Sequence, residues 1–232
     1  MAGVITHMVV AREIKKLLPK TTIKDMGLFY LGNLAPDAVH AREDYIRAYK
    51  KHSHFRDDII DKDFSKQENL NLFHQRVIDF INEYRDREDG LQDLYRGYVA
   101  HILTDELFVL TLREEFCKAL EQQQIAQSDP RFFEYIIADM NRNDFLLTRD
   151  YEGSEEICKC MEGACVYPIE GYISAKELHI CRDWLLRQHY YEKNEFLQPR
   201  FISYEKNLSF IEMAAADIVK RLSDDKSFPK MF

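Results

Sequence analysis

The sequence predicts an all-α protein folded as a single multi-helix domain. Three observations carry that reading. Gly 8 and Pro 6 in 232 residues are low counts, roughly half of average usage, which argues against a turn-rich sandwich or barrel. Hydrophobic residues make up 46%, enough for a core, and they recur at helical spacing along most of the chain. No glycine fingerprint of a Rossmann or P-loop enzyme occurs.

Residues 4–18 read as an amphipathic helix, with Val4, Met8, Ala11, Ile14 and Leu18 on one face and Pro19 at its end. The stretch 27–40 holds Gly27, Gly32 and Pro36 and reads as a short helix followed by a loop. Helix resumes over 42–50, and a polar segment at 57–69 leads onward. Residues 70–85 set Leu72, Phe73, Val77, Phe80, Ile81 and Tyr84 on a helical face. A long helix is expected from Leu91 to Gln123, with Leu94, Tyr98, Ile102, Phe108, Val109, Leu112 and Phe116 as its core stripe. Asp129-Pro130 starts a helix over 130–149. The glycine-bearing stretch 151–172 reads as broken helix or loop. Helices return at 174–192, where Ser174 and Glu177 form a capping box, and at 203–223. A subdivision near residue 150 separates the site-bearing half, 1–112, from additional helices at 151–232.

The formal net charge is -8, which speaks against long nucleic acid or an anionic membrane surface as a partner. No apolar run approaches the roughly 20 residues of a membrane helix, and no signal peptide is evident. The 5 cysteines are odd in number and scattered late in the chain, which fits a reducing, cytoplasmic setting. The pattern sets no oligomeric state.

Polar residues stand where the long helix should be apolar. His101 and Asp105 are four apart, about 40° of rotation, and share a face with Leu94, Tyr98, Ile102, Phe108 and Leu112. A buried carboxylate is costly unless paired or bound to a metal; the pair could also hydrogen-bond each other on an exposed flank. His7 lies on the apolar face of the first helix, as a ligand or as a satisfied core histidine. Asp37 follows Pro36, as a ligand or as a helix N-cap. His52 and His54 lie in KKHSHFRDD, as ligands or as solvated turn residues. Zinc takes histidine nitrogen and aspartate oxygen in tetrahedral sets, with one position left for water in a catalytic site. His54, His101, Asp105 and Asp37 would complete one such shell. His7 could reach a second ion, with Asp105 or Asp37 bridging.

The order of these residues resembles the zinc-dependent phospholipase C family, whose wider fold relatives include single-strand nucleases of the S1/P1 type. THMVVAREI (6–14), FYLGNLAPDAVH (29–40), KKHSHF (50–55) and GYVAHILTDELF (97–108) carry the resemblance, over roughly the first half of the chain. The resemblance implies an all-α fold with metal ions in a cleft between helices. It implies that His7 binds one zinc and that Asp37 binds another and serves as a general base. His54, His101 and Asp105 would complete that second site, with Asp105 bridging.

There are departures from the family pattern. The tryptophan amino-terminus that ligates metal in secreted relatives is missing; Ala2 could take that place after methionine removal. The family's third ion uses histidines beyond the His-x-x-x-Asp pair, yet none occurs between His101 and His179. His179 and Asp183 repeat the four-residue spacing and are the alternative ligands, or else helix-surface residues. One or two ions are therefore expected, zinc first, with manganese, iron or nickel as alternatives. His40 and His52 are candidates to hydrogen-bond the ligands.

The cysteines Cys158, Cys160 and Cys165 do not follow a usual zinc spacing. HD-type phosphohydrolases need a His-Asp dipeptide, and ferritin-like di-iron bundles need Glu-x-x-His pairs; neither occurs. Arg142 and Arg149 could face a phosphate or lie on the surface. The expected activity is metal-dependent hydrolysis of a small-molecule or lipid phosphoric ester. The rival is a non-catalytic helical protein that keeps metal for stability or binds a partner, for which His189-Tyr190-Tyr191 and the 196–201 loop could serve.

Overall fold

The computed structural model describes residues 2–232. Among the described residues there is no strand, only an isolated bridge between Ile169 and Ile173. The helices are α1 (Val4–Leu17), α2 (Met26–Ala38), α3 (Arg47–Ser53), α4 (Gln67–Tyr84), α5 (Gln92–Leu110), α6 (Leu112–Glu121), α7 (Pro130–Asp150), α8 (Ser154–Gly163), α9 (Ala175–Leu186) and α10 (Tyr204–Ser223). Helices α2 and α5 lie together at the centre. Around them, α1 and α10 pack on each other, α9 and α8 cover α2, and α4 covers α5. One contiguous core runs through all of these layers.

The short helix expected at the start of 27–40 does not give way to a loop: α2 continues to Ala38 through Gly32 and Pro36. Asp25 starts it, its carboxylate accepting from Leu28 N at 3.0 Å. Gly32 is not a break but the contact point with α5, since a Cβ there would lie 2.0 Å from the Leu94 carbonyl oxygen. Gly97 answers it from α5, where a Cβ would lie 2.1 Å from the Phe29 oxygen. Two backbones can approach so closely only without side chains between them.

The expected single helix 91–123 divides at Thr111, whose hydroxyl bonds back to Leu107 O at 2.7 Å. Such back-bonding competes with the helical ladder and bends it. The stretch expected to be broken contains α8, and helix α3 begins later than 42. Leu72, expected on the buried face of α4, is 41% exposed. The capping box of α9 is present, with Ser174 Oγ accepting from Glu177 N and Glu177 Oε2 from Ser174 N. Its C-terminal turn, Arg187–Tyr191, is a π-helix.

Candidate metal centre

The candidate ligands come from four places in the chain. His7 points from α1, Asp37 from the last turn of α2, and His101 with Asp105 from α5. His54 caps the C-terminus of α3. After it Phe55 takes a left-handed backbone, φ 58°, rare for a bulky residue. That turn is held by the Phe55 ring, buried among Phe80, Tyr98 and Tyr172. Strain of this kind is stored where packing over-determines the chain, here beside a site residue. Asp37 is thus the end of a helix rather than an N-cap in a loop, and His54 is buried rather than a solvated turn residue.

Two imidazoles are fixed by backbone carbonyls. His101 Nδ1 lies 2.6 Å from Asn33 O, and His54 Nδ1 lies 3.0 Å from Lys50 O. A carbonyl only accepts, so each Nδ1 carries the proton and each Nε2 presents a lone pair. These two Nε2 atoms stand 3.3 Å apart. Asp37 Oδ1 is 3.4 Å and Asp105 Oδ2 3.6 Å from His54 Nε2. Four electron-rich atoms therefore converge with no proton assigned between the nitrogens. A divalent cation would resolve that arrangement, and carbonyl bonds of this kind are the outer support that metal-binding histidines use.

His7 sits behind His101, the rings stacked with centroids 3.8 Å apart. His7 Nε2 is 3.3 Å from Asp105 Oδ1, which also accepts from Ala2 N at 2.9 Å. Both ring nitrogens of His7 and Asp105 Oδ2 are buried without a hydrogen-bond partner. Leaving such groups unsatisfied costs about 1–3 kcal/mol each, so the donor set fits a cation. Two groups of atoms close enough to share an ion result: His7, His101 and Asp105, and Asp37, His54 and His101.

The charge states suit a cation. Burial alone would raise the Asp37 carboxyl, but the Lys50 ammonium holds it well below its ordinary range. Burial would likewise raise Asp105, but the carboxyl is held well below its ordinary range, in part by His7. Burial pushes His54 down and His101 well down, keeping both neutral. Ionised carboxylates and neutral imidazoles are the forms that ligate metal.

His7, His54, His101 and Asp105 are at most 3% exposed, whereas the Asp37 side chain is 18% exposed. Asp37 lies on a groove of about 740 Å³ between α2, α7 and α9. Met140, Ile180 and Trp184 form an apolar part of its wall, which Lys50 and Arg187 also line.

The remaining candidates fall away from the centre. His179 pairs with Asp183 at 3.2 Å, both side chains more than half exposed, so neither is an alternative ligand. Their four-residue spacing makes a surface ion pair on α9. His52 faces out, 2.8 Å from Asp57 and stacked on Tyr172, and supports no ligand. His40 does reach the ligands indirectly, its Nε2 3.1 Å from the Lys50 ammonium that binds Asp37. Arg142 lies 3.8 Å from Asp139, and Arg149 is paired with Asp150 at the surface.

Sequence reasoning missed Lys50 and Asp144, and set His189 in a partner-binding run rather than beside this site. Lys50 is four residues before His54 on α3, a helical spacing that could have flagged it. His189 lines the groove, 6% exposed, with Nδ1 unpartnered and its ring against Phe145 and Trp184. Asp144 carried no local signal, because its partners lie at the other end of the sequence. Its Oδ1 accepts from Thr6 N at 3.0 Å and Thr6 Oγ at 3.1 Å, closing the start of α1. Gly3 makes room for it, since a Cβ there would stand 2.3 Å from that oxygen.

Burial lifts the Asp144 carboxyl to about 6, although bonds from the Ile5 and Thr6 backbone pull it down. The folded value thus lies above the unfolded one, about 3.9. Its stabilisation is full below that lower value and is lost as pH rises through about 6. Wild type therefore gains stability relative to Asp144→Asn as pH falls from about 7 to about 4. Paired urea melts check this; a gap that stays constant across that window contradicts it.

No family model, curated protein or solved structure matches the chain.

Proposed function

We propose that the chain is a metal-dependent hydrolase of phosphoric esters, with one or two zinc ions held by His7, Asp37, His54, His101 and Asp105. The observation that carries this reading is the convergence of the His54 and His101 Nε2 lone pairs with the Asp37 and Asp105 carboxylates. The resemblance of the same residues, in the same order, to zinc-dependent phospholipases C supplies the reaction class. A bound divalent ion lowers the pKa of its water towards about 7 and polarises a phosphoryl oxygen. Manganese, iron or nickel would suit the same nitrogen and oxygen donors.

The residues divide the work by burial. His54 and His101 are oriented by Lys50 O and Asn33 O and hold their positions. Asp105 is fully buried and lies beside both ligand groups, near His7 and His54. Asp37 borders the groove, so it is the ligand placed to accept a proton from an attacking water. The apolar wall of Met140, Ile180 and Trp184 would receive the alcohol portion of the ester, small or lipid-like. The absence, among the described residues, of any helix long and apolar enough to cross a membrane is compatible with either substrate. All five cysteines are unpaired, which supports a cytoplasmic setting.

The test is turnover by zinc-reconstituted protein on choline phosphate esters and on nitrophenyl phosphates. The reading expects hydrolysis of at least one class, abolished by chelation, and a drop of about 100-fold or more in kcat for Asp37→Asn. A fully metallated protein that turns over neither class would instead be a helical domain that keeps metal for stability.

A further inference from the structure

Lys50 joins the candidate centre to the groove beside it. The residue is only 8% exposed, its stem buried along α3. Its Nζ donates to Asp37 Oδ1 at 2.6 Å and lies 3.1 Å from His40 Nε2. An ammonium has three protons. The third finds no protein acceptor among the described residues, while Lys50 lines the groove at the Asp37 end. A cation there is desolvated, held from two sides and short of one acceptor. Such a point charge suits a phosphoryl oxygen. The groove also carries Asp144 and Asp183, which would turn an anion away from their parts of the wall and towards Lys50.

We propose that Lys50 is the phosphoryl-anchoring residue of this site, taking a non-bridging oxygen of the ester through its remaining Nζ–H. Asp37 and His40 hold the ammonium in place for that contact. The proposal rests on the reading of the centre as a phosphoester hydrolase. It gives Lys50 a role separate from metal binding, since the residue supplies no ligand atom. It also assigns His40 as a positioning residue that acts through Lys50.

The experiment is calorimetric titration of inorganic phosphate into zinc-loaded wild type, Lys50→Met and Lys50→Arg, with metal content measured on each sample. Lys50→Met should keep its metal and bind phosphate at least about tenfold more weakly, the loss of one charge-assisted hydrogen bond. Lys50→Arg, which restores the charge, should recover most of that affinity and stands in if the methionine variant fails to fold. For nitrophenyl phosphate, KM should rise more than kcat falls. Lys50→Met that binds phosphate as wild type does, with only its melting temperature changed, overturns the proposal and leaves the metal centre intact. Wild type that takes up metal yet binds no phosphate also overturns it. Wild type that takes up no metal overturns the reading of the centre, and the anchor with it.

Discussion

Asp105→Asn should abolish the response to zinc that the proposed centre predicts. In wild type, zinc at about 100 times its dissociation constant should add about 2.7 kcal/mol to the folded state. For a chain of this size that raises the melting temperature by roughly 5–10 °C. Asp105 contacts both ligand groups, through His7 on one side and His54 on the other. Removing its charge weakens both at once, so affinity should fall by more than about 100-fold, beyond the usual cost of losing an outer hydrogen bond to a ligand. The zinc-dependent rise in melting temperature then disappears. His7→Ala is the informative partner, because His7 is a member of one ligand group alone: any second ion should be lost while one at Asp37, His54 and His101 stays. Calorimetric scans with and without zinc check both variants. An Asp105→Asn protein with an undiminished zinc response would remove the residue from the centre.

Gly97→Ala has the largest expected effect on stability. Two terms oppose each other. Alanine in a helix is favoured over glycine by up to about 1 kcal/mol. Against that, the new Cβ would stand 2.1 Å from the Phe29 carbonyl oxygen and 2.9 Å from Asn33 N, both rigid backbone atoms. Helices α2 and α5 must move apart, and overpacking of this kind costs up to about 3 kcal/mol and occasionally more. The clash wins, and the melting temperature should fall by several degrees, up to roughly 10 °C. The same displacement draws Asn33 O away from His101 Nδ1, a bond that spans these two helices. Zinc affinity should therefore fall in a variant that changes no ligand. Gly163→Ala is the control: a Cβ there meets nothing within 4 Å, so no loss of stability is expected. Equal effects of the two substitutions would refute the close helix contact.

Gly32 and Gly97 also show where sequence reading stops. Local rules treat glycine and proline as punctuation, and by that rule α2 should have ended early. Its glycine instead serves a contact with a helix far along the chain, which no local pattern expresses. Signals confined to a few residues were legible: the Ser174–Glu177 capping box and the Asp129-Pro130 start both stand where the sequence set them. The Thr111 break was not, because helical periodicity runs on through α5 and α6.

The five ligand candidates were legible because each is a polar residue in an apolar setting or belongs to a spaced pair, and the structure brings all five together. In KKHSHF, spacing could not separate His52 from His54 or Lys50 from Lys51. The turn at Phe55 makes that choice, sending His54 inward while His52 meets Asp57 and Lys51 bonds Ile59 O. Asp144 lay beyond any local rule, since its role depends on Thr6, 138 positions away.

The decisive measurement is an anomalous difference map at the zinc absorption edge, from a crystal of the zinc-loaded protein. The strongest peak should lie within bonding distance of His54 Nε2, His101 Nε2 and the Asp37 and Asp105 carboxylates, with any second peak beside His7. A map with no peak there, or with zinc only at surface pairs such as His179 and Asp183, would contradict the metal centre and the hydrolase built on it.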